Sequence, residues 1–102
     1  MRQEHQNGGV VIRRLAMTGR FERDYKRLDH GLQGKVDTVL LNLTKNPRSP
    51  MLRFEKLGGY RRPSIHTVHV TPNHSHKLSF EIDGGTAILR RIGTHKEIDG
   101  AP

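Results

Sequence analysis

Residues 76 to 92 read HKLSFEIDGGTAILRRI, and their pattern decides the fold. Leu78, Phe80 and Ile82 alternate with Lys77, Ser79 and Glu81, the period of two that a half-buried strand requires. Asp83-Gly84-Gly85 then interrupts, and a second strand-like run extends from Thr86 to Ile92. A glycine-containing turn between two such runs predicts a β-hairpin, because glycine reaches the positive φ that a tight turn between twisted strands needs.

Upstream of the hairpin, Leu52 to Leu57 and Ser64 to Val70 are short runs bounded by Gly, Pro and Asn, and they read as two more strands. In the second of them Val68 and Val70 face one way, and Ile65, Thr67 and His69 the other. Earlier in the chain the period lengthens. Thr18 is placed to cap a helix in which Phe21, Tyr25, Leu28 and Leu32 recur at helical spacing, with Arg20, Arg23 and Arg27 on another face. A second helix puts Leu32, Val36, Val39, Leu40 and Leu43 on one stripe, and Asn46-Pro47 stops it. Val10 to Met17, rich in β-branched residues at its start, predicts an opening strand.

Helices that precede most of the strands predict an α+β domain of two layers. Its N-terminal strand and helical hairpin pack on a mainly antiparallel sheet of four to five strands. A chain of 102 residues supports one core. Residues 1–9 read as a flexible polar leader, 10–99 as a single domain, and 100–102 as a tail.

Charge narrows the partners. Eighteen Lys and Arg against ten Asp and Glu give a net charge of +8, which points to a polyanion or to an acidic protein. The absence of cysteine excludes a disulfide framework and a cysteine-based zinc site. The sequence has no apolar run long enough to act as a signal peptide or span a bilayer, so a cytoplasmic protein without a membrane partner is expected.

Strand alternation places the apolar sets under the helices and predicts a polar sheet face carrying His69, Lys77 and Ser79, joined by Arg91 from the last strand. Cleaving RNA without a metal needs a base for the 2′-hydroxyl, an acid for the departing 5′-oxygen, and cations for the phosphorane. His69, His95, Arg91 and Lys77 have the side chains for those tasks. The histidines at 66, 69, 74 and 76 also raise a zinc reading, but His66 and His69 project to opposite faces of a strand, so no metal is expected. Nor is any other cofactor or a small-molecule ligand. Arg53, Lys56, Arg61, Arg62, Arg90 and Lys96 are expected to bind RNA alongside Lys77.

Phe54-Glu55-Lys56-Leu57, Val68-His69-Val70-Thr71-Pro72-Asn73, Arg91-Ile92-Gly93-Thr94-His95 and the earlier Phe21-Glu22-Arg23-Asp24-Tyr25-Lys26 together resemble the RelE/ParE toxin superfamily, and within it the YafQ-like mRNA interferases most closely. The resemblance implies a RelE-like fold and a toxin that is an endoribonuclease. Such a toxin cleaves mRNA on the ribosome, in contact with rRNA, through 2′-hydroxyl attack, and is neutralised by a cognate antitoxin protein. It implies that His69 is a catalytic histidine, Arg91 the phosphate-binding arginine and His95 a general acid or base. Asn73 and His74 occupy further catalytic positions, where the YafQ pattern has aspartate and tryptophan. Asp99 stands where an aromatic residue would stack on a base, a contact worth about 1–3 kcal/mol. Two alternatives share the scaffold: a ParE-like gyrase poison without nuclease chemistry, and a non-catalytic nucleic-acid-binding relative.

Overall fold

The structure is a computed structural model that describes residues 11–102, apart from Arg48, Arg62, His74 and the side chains of Met51 and Arg61. The expected leader, residues 1–9, and Val10 lie outside the described residues. The elements run β1 (Arg14–Met17), α1 (Gly19–Arg27), α2 (His30–Lys45), a 3-10 turn (Pro50–Leu52), β2 (Glu55–Arg61), β3 (Ser64–His69), β4 (His76–Asp83), β5 (Thr86–Thr94) and α3 (His95–Gly100). They form the expected α+β domain, with one five-stranded sheet in the order β1-β5-β4-β3-β2. Only the β1–β5 pair is parallel.

Local chemistry accounts for most boundaries. Gly84 and Gly85 both have positive φ, 57° and 91°, which closes the hairpin directly between paired Asp83 and Thr86. The Thr18 hydroxyl accepts the Phe21 N–H at 3.1 Å and the Asp29 carboxylate accepts that of Leu32 at 2.8 Å, so each starts a helix. Asp29 as a new N-cap, with Leu28 extended before it, explains why Leu32 belongs to α2 and does not continue α1. Leu52, expected in a strand, lies instead in the 3-10 turn. Pro50 has no N–H to give a sheet and begins that turn, and Arg53 then reverses the chain at φ 51°.

Phe21, Val36, Leu40 and Leu43 from the helices pack with Val68, Leu78, Phe80, Leu89 and Ile92 from one sheet face, all less than a tenth exposed. β1 stops at Met17 and leaves the outer edge of β5 open beyond Leu89. α1 closes it. The Thr18 N–H donates to the Leu89 carbonyl at 3.2 Å, and the Asp24 carboxylate accepts the buried Ile92 N–H at 3.0 Å. Between the Ser79–Arg91 and Phe80–Leu89 pairs Arg90 is an extra residue, a β-bulge.

The opposite face corrects one expectation. Residues 76–92 suggested a polar surface open to solvent. Instead β5 continues through Thr94, and α3 turns back across β4 and β5. Thr94 and Glu97 form a capping box that starts this helix, and Ile98 and Ile65 are buried outside the main core. Beneath the cover Thr67, Ser79, Lys77 and His69 are all buried. The Ala101 carbonyl accepts from Arg91 Nη1 at 3.1 Å and that of Pro102 from Arg90 Nε at 3.3 Å, so the last residues are tied to the sheet. No helix of the described residues is long and apolar enough to cross a membrane.

Candidate active site

The rows of the sheet fix what converges. His69, the last residue of β3, pairs with Lys77 on β4, and Lys77 with Gly93 on β5. Gly93 matters by what it lacks. A Cβ there would fall 2.7 Å from Glu97 Oε1, the atom that accepts the Thr94 N–H at 2.9 Å and completes the capping box. That cap starts α3 at His95 and sets its imidazole beside His69, with ring centroids 5.9 Å apart and planes 60° apart. His69 is buried, whereas the His95 side chain is 48% exposed.

A run of charges leads inward from His95. Its Nδ1 lies 2.9 Å from Asp99 Oδ2, one helical turn on, and Asp99 Oδ1 lies 2.7 Å from Lys77 Nζ. Lys77 also reaches Glu55 Oε1 at 3.7 Å. With only 2% of its side chain exposed, Lys77 would cost several kcal/mol to bury alone, and two carboxylates offset that cost. Expected as an RNA-binding cation on the surface, Lys77 is instead an internal counter-ion.

Arg91 stands apart. Its Nε lies 3.5 Å from Asp24 and its Nη1 donates to Ala101, which leaves the side chain 15% exposed. Two clefts lined by Arg91, of about 230 and 130 Å³, contain neither His69 nor His95. His69 lines a larger cavity of about 640 Å³ with Arg53, Thr71 and Pro72, against α2. The structure sets His69 beside His95, lines one cavity with His69 and Arg53, and pairs Arg91 with Asp24.

The remaining expected residues are scattered. Asn73 is exposed and its side-chain oxygen accepts the Ser75 N–H at 3.1 Å, the work of a turn former. Lys56 and Lys96 are exposed on β2 and α3. Arg90 is paired with Glu81 and with the Pro102 carbonyl. His74, Arg62 and the side chain of Arg61 fall outside the described residues. His66 does face away from His69, into a cluster with Phe54 and Phe80 at centroid distances of 5.4 and 5.7 Å. Burial, and next the nearby Lys56 charge, hold its pKa below the ordinary histidine value. Asp24 and Glu55 were not singled out as functional residues from sequence; the spacing of His95 and Asp99, four apart on one helix face, was the available sign of their contact.

No protein-family model and no curated protein sequence matches the chain. Solved structures do. The Escherichia coli DinJ–YafQ toxin–antitoxin complex is similar with a TM-score of 0.67 at 20% identity, over 85% of this chain and 98% of that one. The Methanococcus jannaschii RelB–RelE antitoxin–toxin complex gives 0.65 at 20% identity, over 85% and 99%. The Staphylococcus aureus YoeB dimer gives 0.65 at 17% identity, over 80% and 95%. At such identities the likeness shows a common fold, the RelE-like α+β layer.

Proposed function

We propose that this chain is the toxin of a toxin–antitoxin pair, a metal-independent endoribonuclease that cuts mRNA on the ribosome, in contact with rRNA in the cytoplasm, and is neutralised by an antitoxin protein. The observation that carries the proposal is the imidazole pair, His69 and His95, with ring centroids 5.9 Å apart on a protein of net charge +8. A fold shared with toxins that have been solved bound to antitoxins supports the partner.

Two adjacent imidazoles can divide the two proton transfers of the reaction. The neutral one takes the proton from a ribose 2′-hydroxyl, whose oxygen attacks the phosphorus. The protonated one gives its proton to the departing 5′-oxygen, leaving a 2′,3′-cyclic phosphate and a free 5′-hydroxyl. Each transfer contributes on the order of 10²–10⁴-fold. Arg53, in the cavity beside His69, and Lys96, next to His95, attract the phosphates flanking the cut in this reading, while the buried Lys77 acts through Asp99.

The test is induction in cells followed by mapping of mRNA 5′ ends. The parent should create new ends and stop growth, and His95→Ala should do neither while keeping the fold. An alanine variant that cuts as well as the parent would refute the chemistry. A second reading, a ParE-like poison that binds gyrase without hydrolysis, is favoured by the commitment of Arg91 to Asp24 and Ala101. It predicts broken chromosomal DNA with mRNA intact.

A further inference from the structure

We infer that Asp99 is a positioning residue that fixes the tautomer of His95, and that the buried Lys77 is what makes its charge indispensable. The inference deepens the ribonuclease proposal and rests on it only for the catalytic consequence.

Asp99 uses its two oxygens differently. Oδ1 is 2.7 Å from Lys77 Nζ, a group with three N–H donors and nothing to accept with. Oδ2 is 2.9 Å from His95 Nδ1. A carboxylate only accepts, so the neutral imidazole must carry its proton on Nδ1 and leave the Nε2 lone pair free to act as a base. His95 is half-exposed while Lys77 is almost fully buried, so RNA can reach the imidazole but not the ammonium. The cation is out of reach of a phosphate and within reach of the group that orients the imidazole.

This arrangement makes a conservative substitution severe. In Asp99→Asn the ammonium claims the amide oxygen, because an ammonium facing an NH₂ group would be left with Glu55 alone, at 3.7 Å. The NH₂ then points at His95 Nδ1 and requires a lone pair there, which moves the imidazole proton to Nε2. Removing the cation as well, in Lys77→Met with Asp99→Asn, frees the amide to turn its oxygen back toward Nδ1–H. The double variant should therefore recover what the single one loses. A residue that served only to neutralise Lys77 would give no tautomer change in either.

The tautomer is read directly by ¹⁵N NMR of the isolated protein in alkaline buffer, where neutral imidazole dominates. The parent and the double variant should show His95 protonated on Nδ1, and Asp99→Asn protonated on Nε2. In RNA cleavage, Asp99→Asn should lower kcat about 10- to 100-fold with KM little changed, and the double variant should regain most of it. If His95 keeps the Nδ1 proton in Asp99→Asn, the inference is overturned. If the tautomers switch as described and none of the three proteins cuts RNA, the positioning role stands and the ribonuclease proposal falls.

Discussion

Replacing Asp24 by alanine removes a 6% exposed carboxylate that accepts the Ile92 N–H at 3.0 Å and the Arg91 Nε at 3.5 Å. The Ile92 amide lies where β1 has already ended, so no strand can replace the lost acceptor, and leaving a buried donor unmet costs about 1–3 kcal/mol. The Arg91 contact is long, and the guanidinium keeps the Ala101 carbonyl and some water, so its loss adds about 1 kcal/mol. The sum is about 3 kcal/mol. For a domain of this size that lowers Tm by roughly 10–20 °C. Asparagine retains an oxygen for Ile92 and should cost only about 1 kcal/mol. Urea and thermal unfolding followed by circular dichroism would give both values, with an unchanged m as the sign that compactness is preserved. Equal losses for alanine and asparagine would mean that the carboxylate does not satisfy the open edge of β5, and the account of how α1 closes the sheet would be wrong.

His66 gives a pH dependence. Its folded pKa is lowered by burial and by Lys56, so the unfolded chain binds its proton more readily. The stability it contributes is present above the unfolded value near ~6.5 and is lost as pH falls toward the lower folded one. Relative to its own value at pH 7.5, His66→Phe should lose less Tm than the parent on acidification to about pH 5; parallel curves would exclude this source. At the hairpin, Gly84→Ala should cost about 1 kcal/mol and Gly84→Asn less, since φ of 57° suits asparagine better than alanine. Equal chemical-denaturation midpoints for the two variants would count against the turn geometry.

The fold was legible where local chemistry and hydrophobic period agree. Gly84-Gly85 between the runs, Thr18 before Phe21 and Asn46-Pro47 after Leu43 each act on their immediate neighbours, and their elements were found. α3 was missed because a helix of six residues is too short to show a period, although Thr94 and Glu97 carried its start signal. The polar face was misjudged for a related reason. Alternation tells that Lys77 and Ser79 share a side, but polarity does not tell that the side is open. Here a second layer brings the Asp99 carboxylate to the lysine and the Pro102 carbonyl to the serine. In the site, the family resemblance singled out His69 and His95, whereas the link from Lys77 to Asp99 spans 22 positions and depends on how α3 crosses the sheet.

The parallel pairing of β1 with β5 also bears on the order in which the chain can fold. Thr18 finds its acceptor 71 positions later, at Leu89, so the first strand has no partner until the last one exists. Hairpin β4–β5 and helices α1 and α2 draw on near neighbours and can form early. The edge strand must wait and bear the entropy of closing a long loop, which places its docking among the slow, late events of folding. A chain interrupted before Thr86 would have no strand on which β1 could dock, nor His95 beside His69.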